Sequence, residues 1–274
     1  MDVAPALLLL LLGASVGFVA GLLGIGGGML MVPFLIALLQ AKGVPAEHVV
    51  QVAIATSLAT ILFTSLSSVR AHHRLGAVRW DAVAALAPGI VFGSIAGAQL
   101  AAWLSGRILS AGFGAFVALM ATRMLSGGGA ASGTSSVPEL PRAPVTFGVG
   151  GAIGVISALV GAGGAFLTVP FLTSCRLKIP IAVGTSAACG FPIALAGTLG
   201  YVWAGLHLDL APGIVGYLYL PALLIIVVAS VVTAPYGARL AHRLPMRTLR
   251  RLFAVLLYAI AAHMLWKAAT LPIG

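Results

Sequence analysis

The residues best suited to holding a ligand are two glycine clusters and two Thr-Ser pairs. Gly24, Gly26, Gly27 and Gly28 interrupt the apolar run GFVAGLLGIGGGMLMVPFL (Gly17–Leu35), and Gly161, Gly163 and Gly164 interrupt GVISALVGAGGAFLTVPFL (Gly154–Leu172). A helix that restarts after such a break presents free backbone N–H groups and the positive end of its dipole. Glycine lets a ligand approach that backbone closely. Such an end favours an anion by ~0.3–1 kcal/mol, rising to ~2 kcal/mol in buried geometry. Thr56, Ser57, Thr185 and Ser186 would add hydroxyl donors. The plainer alternative is that the glycines permit a tight turn and close packing, and that the hydroxyls bond their own helices.

Other chemistry finds little to run on. The acids are Asp2, Glu47, Asp81, Glu139 and Asp209, and none falls in the middle of an apolar run. A dehydrated cation would lack a compensating carboxylate, and a proton relay would lack its groups. The six histidines lie near segment ends except His263, which favours interfacial positions over a metal site. Cys175 and Cys189 fit no metal or redox spacing. GIGGG is not followed by the Lys-Ser/Thr of a phosphate-binding loop, so ATP-driven transport within the chain is not expected. No enzyme activity, metal or cofactor is expected.

The elements that must position these residues are membrane helices. The chain has 274 residues, 61% of them hydrophobic and 7% charged, with apolar runs near the length of a bilayer span along its whole length. Pro5–Gln40 reads as a helical hairpin with both ends on one side and the glycines at its tip. Spans follow at Val49–Val69, Ala82–Leu104 and Ile108–Leu125, with a basic loop at Arg70–Asp81. A second hairpin, Pro144–Leu172, precedes spans at Ile181–Trp203, Leu210–Ala234 and Leu252–Lys267, with Pro235–Arg251 a basic connection. Pro33 and Pro170 should end or kink the second arm of each hairpin. Trp80, Trp103, Trp203 and Trp266 fall at span boundaries, as interface anchors do.

The order is doubled. With Gly13 set against Gly150, 11 of 23 positions are identical through Leu35 and Leu172. The expected organisation is a first repeat at 1–125, a flexible linker at 126–143 (SGGGAASGTSSVPELPRA) and a second repeat at 144–274. If each hairpin returns to its starting side, each half crosses three further times, and the halves are inverted relative to each other. Lysine and arginine then divide 12 to 3 between the two faces, against 9 to 6 if each hairpin counts as one crossing. The positive-inside rule favours the first arrangement, with basic loops and linker cytoplasmic and both termini outside. It also accounts for the net charge of +10 without nucleic acid. The fold class is an all-α integral membrane protein built of two inverted repeats, each a glycine-broken helical hairpin plus three transmembrane helices.

The doubled G-x-G-G…V-P-F-L stretch, the Ala55-Thr56-Ser57 and Gly184-Thr185-Ser186 triplets and the SSVRAHHRLGAVRWD run at Ser67–Asp81 resemble the TauE/SafE sulfite exporter family over nearly the whole chain. The resemblance implies a transporter of small, sulfur-containing anions such as sulfite or sulfonates in the cytoplasmic membrane. Its partners would be the solute and the lipid bilayer. A passive anion channel, with the glycine hairpins as a filter, is the alternative. The halves depart from each other where Ala165 replaces the counterpart of Gly28, so the two half-sites are not equivalent.

Overall fold

A computed structural model describes residues 3–23, 28–126, 140–241 and 246–270. The fold is an all-α integral membrane protein. Helices α1 (Val3–Leu23) and α2 (Gly28–Ala41) lead into α3 (Val49–Arg74), α4 (Trp80–Trp103) and α5 (Gly106–Leu125). After the linker come α6 (Ala143–Val160), α7 (Ala165–Ser174), α8 (Ile179–Gly205), α9 (Leu220–Ala241) and α10 (Met246–Thr270). Five of these, α3, α4, α5, α6 and α8, are long and apolar enough to cross a bilayer. With 14 and 10 residues, α2 and α7 rise about 21 Å and 15 Å, short of the ~30 Å hydrocarbon core. Length alone leaves each short of a full crossing.

The centre of the fold is α3, in which every residue from Val49 to Ile61 is buried. A helix apolar all round must be enclosed by others, and α8, α2 and α9 pack around it. Outside this core, α4 lies on α6, α1 on α9 and α5 on α10. In lipid, such contacts rest on close approach of small residues rather than on the hydrophobic effect. On α4, a Cβ at Gly89 or Gly93 would stand 2.1 Å from the Phe147 or Gly151 carbonyl oxygen of α6. A Cβ at Gly17 of α1 would stand 2.4 Å from the Ser230 carbonyl oxygen of α9. Trp80, Trp103, Trp203 and Trp266 are all exposed and lie at or near helix ends.

Three boundaries differ from the sequence expectation. First, α9 starts at Leu220, not Leu210. The residues between form turns and a two-residue antiparallel ladder pairing Ile214 with Tyr219 and Val215 with Leu218. Pro212 lacks a backbone N–H, and Gly213 and Gly216 hold left-handed φ values of +87° and +59°, which no helix continues through. Second, the basic stretches are partly helical. α3 runs on to Arg74, and α9 runs to Ala241 before α10 begins at Met246. Third, of the two outcomes expected at Pro33 and Pro170, ending the arm does not occur: they lie inside α2 and α7, which continue past them to Ala41 and Ser174. As the second residue of α8, Pro180 sits where its missing N–H costs nothing.

Candidate functional site

The two hairpin tips meet beside α3. A Cβ at Gly28 would stand 2.6 Å from the Gly161 carbonyl oxygen and 3.0 Å from Ser57 Oγ. The Ser57 hydroxyl lies 3.0 Å from the Gly28 carbonyl and 3.1 Å from the Gly161 carbonyl, and donates to them. Its single proton therefore clasps the tips together. Gly24, Gly26 and Gly27, the rest of the first cluster, lie outside the described residues.

The second tip is described in full. α6 ends at Gly161, whose φ of +66° is left-handed, and the N–H groups of Gly161 and Ala162 both donate to the Ser157 carbonyl. Gly164 then caps α7 at a φ of +73° and, having no side chain, leaves its first turn uncapped. Among the described residues the backbone N–H groups of Gly163, Gly164, Ala165 and Phe166 find no backbone acceptor, and the next donors, Leu167 and Thr168, turn to the Gly164 carbonyl. Gly163 and Gly164 are buried. Among the described helix starts, Ser105 caps α5 by accepting from the Ile108 N–H, whereas α3, α4, α6 and α8 begin, like α7, without a side-chain cap. Buried backbone N–H groups without partners are rare, and each costs about 1–3 kcal/mol. A consecutive run of them, at the positive end of a helix, suits an anion.

The Thr-Ser pairs divide in role. Thr56 donates to the Val52 carbonyl at 2.7 Å and accepts the Tyr219 N–H at 3.1 Å, where α9 begins. Thr185 accepts the Arg79 N–H at 3.0 Å, just before α4 begins. In this structure both threonines fasten a central helix to the start of a distant one. Ser186 is 1% exposed, and its hydroxyl has no partner. So the structure joins Gly28, Ser57 and Gly161 directly and gives the threonines helix starts as partners.

The family model described as sulfite exporter TauE/SafE matches residues 9–264. The chain belongs to the TauE/SafE family. It is 37% identical to a probable membrane transporter protein of Haemophilus influenzae, over 95% of this chain and 98% of the relative. It is 28% identical to one of Xylella fastidiosa (93% of each chain) and 26% identical to YunE of Bacillus subtilis (95% and 97%), both also named probable membrane transporter proteins. No solved structure matches the chain significantly. This TauE/SafE member is a multi-pass membrane transporter.

Two features of this TauE/SafE core are not evident from sequence reasoning. One is Ser157, 2% exposed, whose hydroxyl also lacks a partner. Its only sequence signal is its place four residues before Gly161. The other is Lys267, 8% exposed, whose Nζ donates to Gln40 Oε1 at 2.8 Å and so ties α10 to the end of α2. Among the described residues no three His, Cys, Asp or Glu gather as metal ligands. Asp81 lies in the first turn of α4, where Arg79 Nε donates to its Oδ1 at 2.7 Å.

Proposed function

We propose that the chain is a secondary transporter of a small, sulfur-containing anion across the cytoplasmic membrane. The observation that carries this reading is the run of N–H groups from Gly163 to Phe166, without backbone acceptors among the described residues and buried at Gly163 and Gly164, where α7 begins. Gly161, Gly163, Gly164 and Ser186 would form the second half-site, and Gly24, Gly26, Gly27, Gly28 and Ser57 the first. Thr56 and Thr185 would hold the helices that frame it. The described spans offer no mid-membrane carboxylate for a cation. The sulfur preference draws its support from the family description.

In this proposal residues 1–125 and 144–274 are inverted repeats joined by the linker at 126–143, with basic loops and linker cytoplasmic and both termini outside. Reciprocal packing supports it. α1 of the first half lies on α9 of the second, and α6 of the second lies on α4 of the first. Thr56 serves α9, and Thr185 serves α4. Glycine-broken helices in two inverted halves that meet near mid-membrane are a recurrent design for carriers.

The test is transport in proteoliposomes. Sulfite uptake should saturate and show counterflow when the lumen is preloaded. Flux that rises linearly with concentration and passes current would assign a passive channel instead.

A further inference from the structure

We infer that the bonds from the Tyr219 N–H to Thr56 and from the Arg79 N–H to Thr185 are two latches, one for each face of the membrane, and that transport opens them in turn. The inference rests on the carrier reading with inverted halves and adds to it the contacts that must break when each face opens.

The two bonds occupy matching places. Ala55-Thr56-Ser57 and Gly184-Thr185-Ser186 are corresponding triplets near the starts of α3 and α8. Each threonine accepts the backbone N–H of the residue that immediately precedes a helix: Tyr219 before α9, at 3.1 Å, and Arg79 before α4, at 3.0 Å. Each bond also crosses between the halves. Thr56 of the first half holds the start of α9, and Thr185 of the second holds the start of α4. Carriers built of two repeats open by rocking one against the other. A bond across the halves must then break at whichever end parts.

The latches lie at opposite ends of the α3–α8 pair. The two helices are antiparallel: a Cβ at Gly197 would stand 3.0 Å from Leu58 Cδ1, and one at Gly190 would stand 3.6 Å from Ser65 Cβ. That register sets Thr185 level with Arg70, roughly 20 Å along α3 from Thr56. The second glycine turn lies between these levels. A Cβ at Gly163 would stand 3.3 Å from Ile61 Cγ2 of α3, and one at Gly190 of α8 would stand 3.4 Å from the Gly163 carbonyl oxygen. Both bonds are made in this structure, as a conformer closed at both ends requires.

Close packing seats each latch. A Cβ at Gly184, beside Thr185, would stand 2.2 Å from the Ala77 carbonyl oxygen in the loop before α4. At the other end the turn before α9 lies on the end of α8, where a Cβ at Gly205 would stand 2.7 Å from the Gly216 carbonyl carbon. The Tyr217 ring of that turn packs on His48, which precedes α3, and on Tyr201 of α8, with centroids 5.8 and 6.1 Å away. While an end is closed, the latch N–H has its threonine as acceptor; once that end opens, water serves it. Removing the hydroxyl therefore penalises the closed arrangement alone. It should raise the open fraction at that end by about fivefold or more, the cost of stranding a buried donor.

The experiment uses the full chain in vesicles of known orientation. Cys175→Ala and Cys189→Ala remove the native thiols, and Ser65→Cys reports access. Ser65 is buried and lies between the two latch levels. An impermeant thiol reagent is applied to one side or the other. Thr56→Val should speed labelling about fivefold or more from the Ala46 side alone, and Thr185→Val from the Leu75 side alone. Thr56→Ser and Thr185→Ser keep the hydroxyl and should label as the parent does. Faster labelling from the same side in both valine variants, from both sides alike, or in neither, would overturn the latches. A second arm needs no weakened variant. Oxidative joining of Thr185→Cys to Arg79→Cys should stop sulfite counterflow, and reduction should restore it; full counterflow with the cross-link formed would also overturn the proposal. Counterflow without sided labelling would leave the carrier reading standing and remove the latches. Sided labelling without counterflow would do the reverse.

Discussion

Replacing Gly163 by alanine separates a binding backbone from a merely compact turn. Gly163 does not sit in the left-handed region, and a Cβ there meets one neighbour, Ile61 Cγ2, at 3.3 Å. That contact asks a side-chain methyl to give by a few tenths of an ångström. Against it stands the usual gain of roughly 0.4–1 kcal/mol when alanine replaces glycine at a compatible position. The two effects oppose each other, so folding stability should change by no more than about 1 kcal/mol. The new methyl would nevertheless stand among the unpaired N–H groups of Gly163 to Phe166. Loss of one hydrogen bond to an anion costs about 1.5–3 kcal/mol, or roughly 10- to 150-fold in Kd. Sulfite uptake in proteoliposomes should therefore collapse while the melting temperature in detergent holds. Gly164→Ala is the contrast. Its φ of +73° imposes a left-handed cost of about 1–2 kcal/mol on alanine. Its Cβ would also lie 2.3 Å from Ile193 Cδ1, so stability and uptake should fall together. Full uptake by Gly163→Ala at normal stability would refute the backbone-lined site.

The remaining predictions concern the frame around the tip. Ser57→Ala removes the clasp between the Gly28 and Gly161 carbonyls and should lower stability by about 0.5–1.5 kcal/mol in denaturant melts; no change would deny the clasp. Thr56→Val and Thr185→Val strand the Tyr219 and Arg79 N–H groups, at about 1–3 kcal/mol each. Unaltered stability in both would return the threonines to ligand contact. For topology, Leu75→Cys should be shielded from an impermeant thiol reagent applied outside, and Ala46→Cys should react; equal labelling would overturn the inverted arrangement. These exposed positions are better probes than the neighbouring Gly76 and Gly43, whose φ values of +65° and +77° would strain any side chain. The native Cys175 and Cys189 are both buried and should contribute little background.

The helix breaks at the glycines are legible because two signals coincide: the length of an apolar run and the place where glycine interrupts it. α6 and α7 fall on either side of Gly161–Gly164, as that spacing implies. The start of α9 was not legible. LAPGIVGYLYL (Leu210–Leu220) is apolar enough for a span, but what decides the path is a left-handed turn at Gly213 and Gly216 and a bond from the Tyr219 N–H to Thr56, 163 residues away. Hydropathy likewise marks where the hydrocarbon ends rather than where a helix ends, so α3 carries Arg70 and Arg74 without unwinding. Ser157 escaped notice for another reason. A single serine in an apolar helix has no pattern, and its significance comes from the bond it does not make.

Whether a hydroxyl proton is already committed decides which side of the tips can receive an anion. At the contact between the hairpins, Ser57 directs its proton at two backbone carbonyls, Gly28 and Gly161. Along the second tip the N–H groups from Gly163 to Phe166 have no backbone acceptor among the described residues, and the Ser157 hydroxyl lies beside Gly164. The first half carries the same glycines but uses its serine as the clasp, and it has alanine where the second half has Ser157. In the proposed carrier the two halves would then divide the labour, one supplying the proton that holds the tips together and the other supplying donors for the solute.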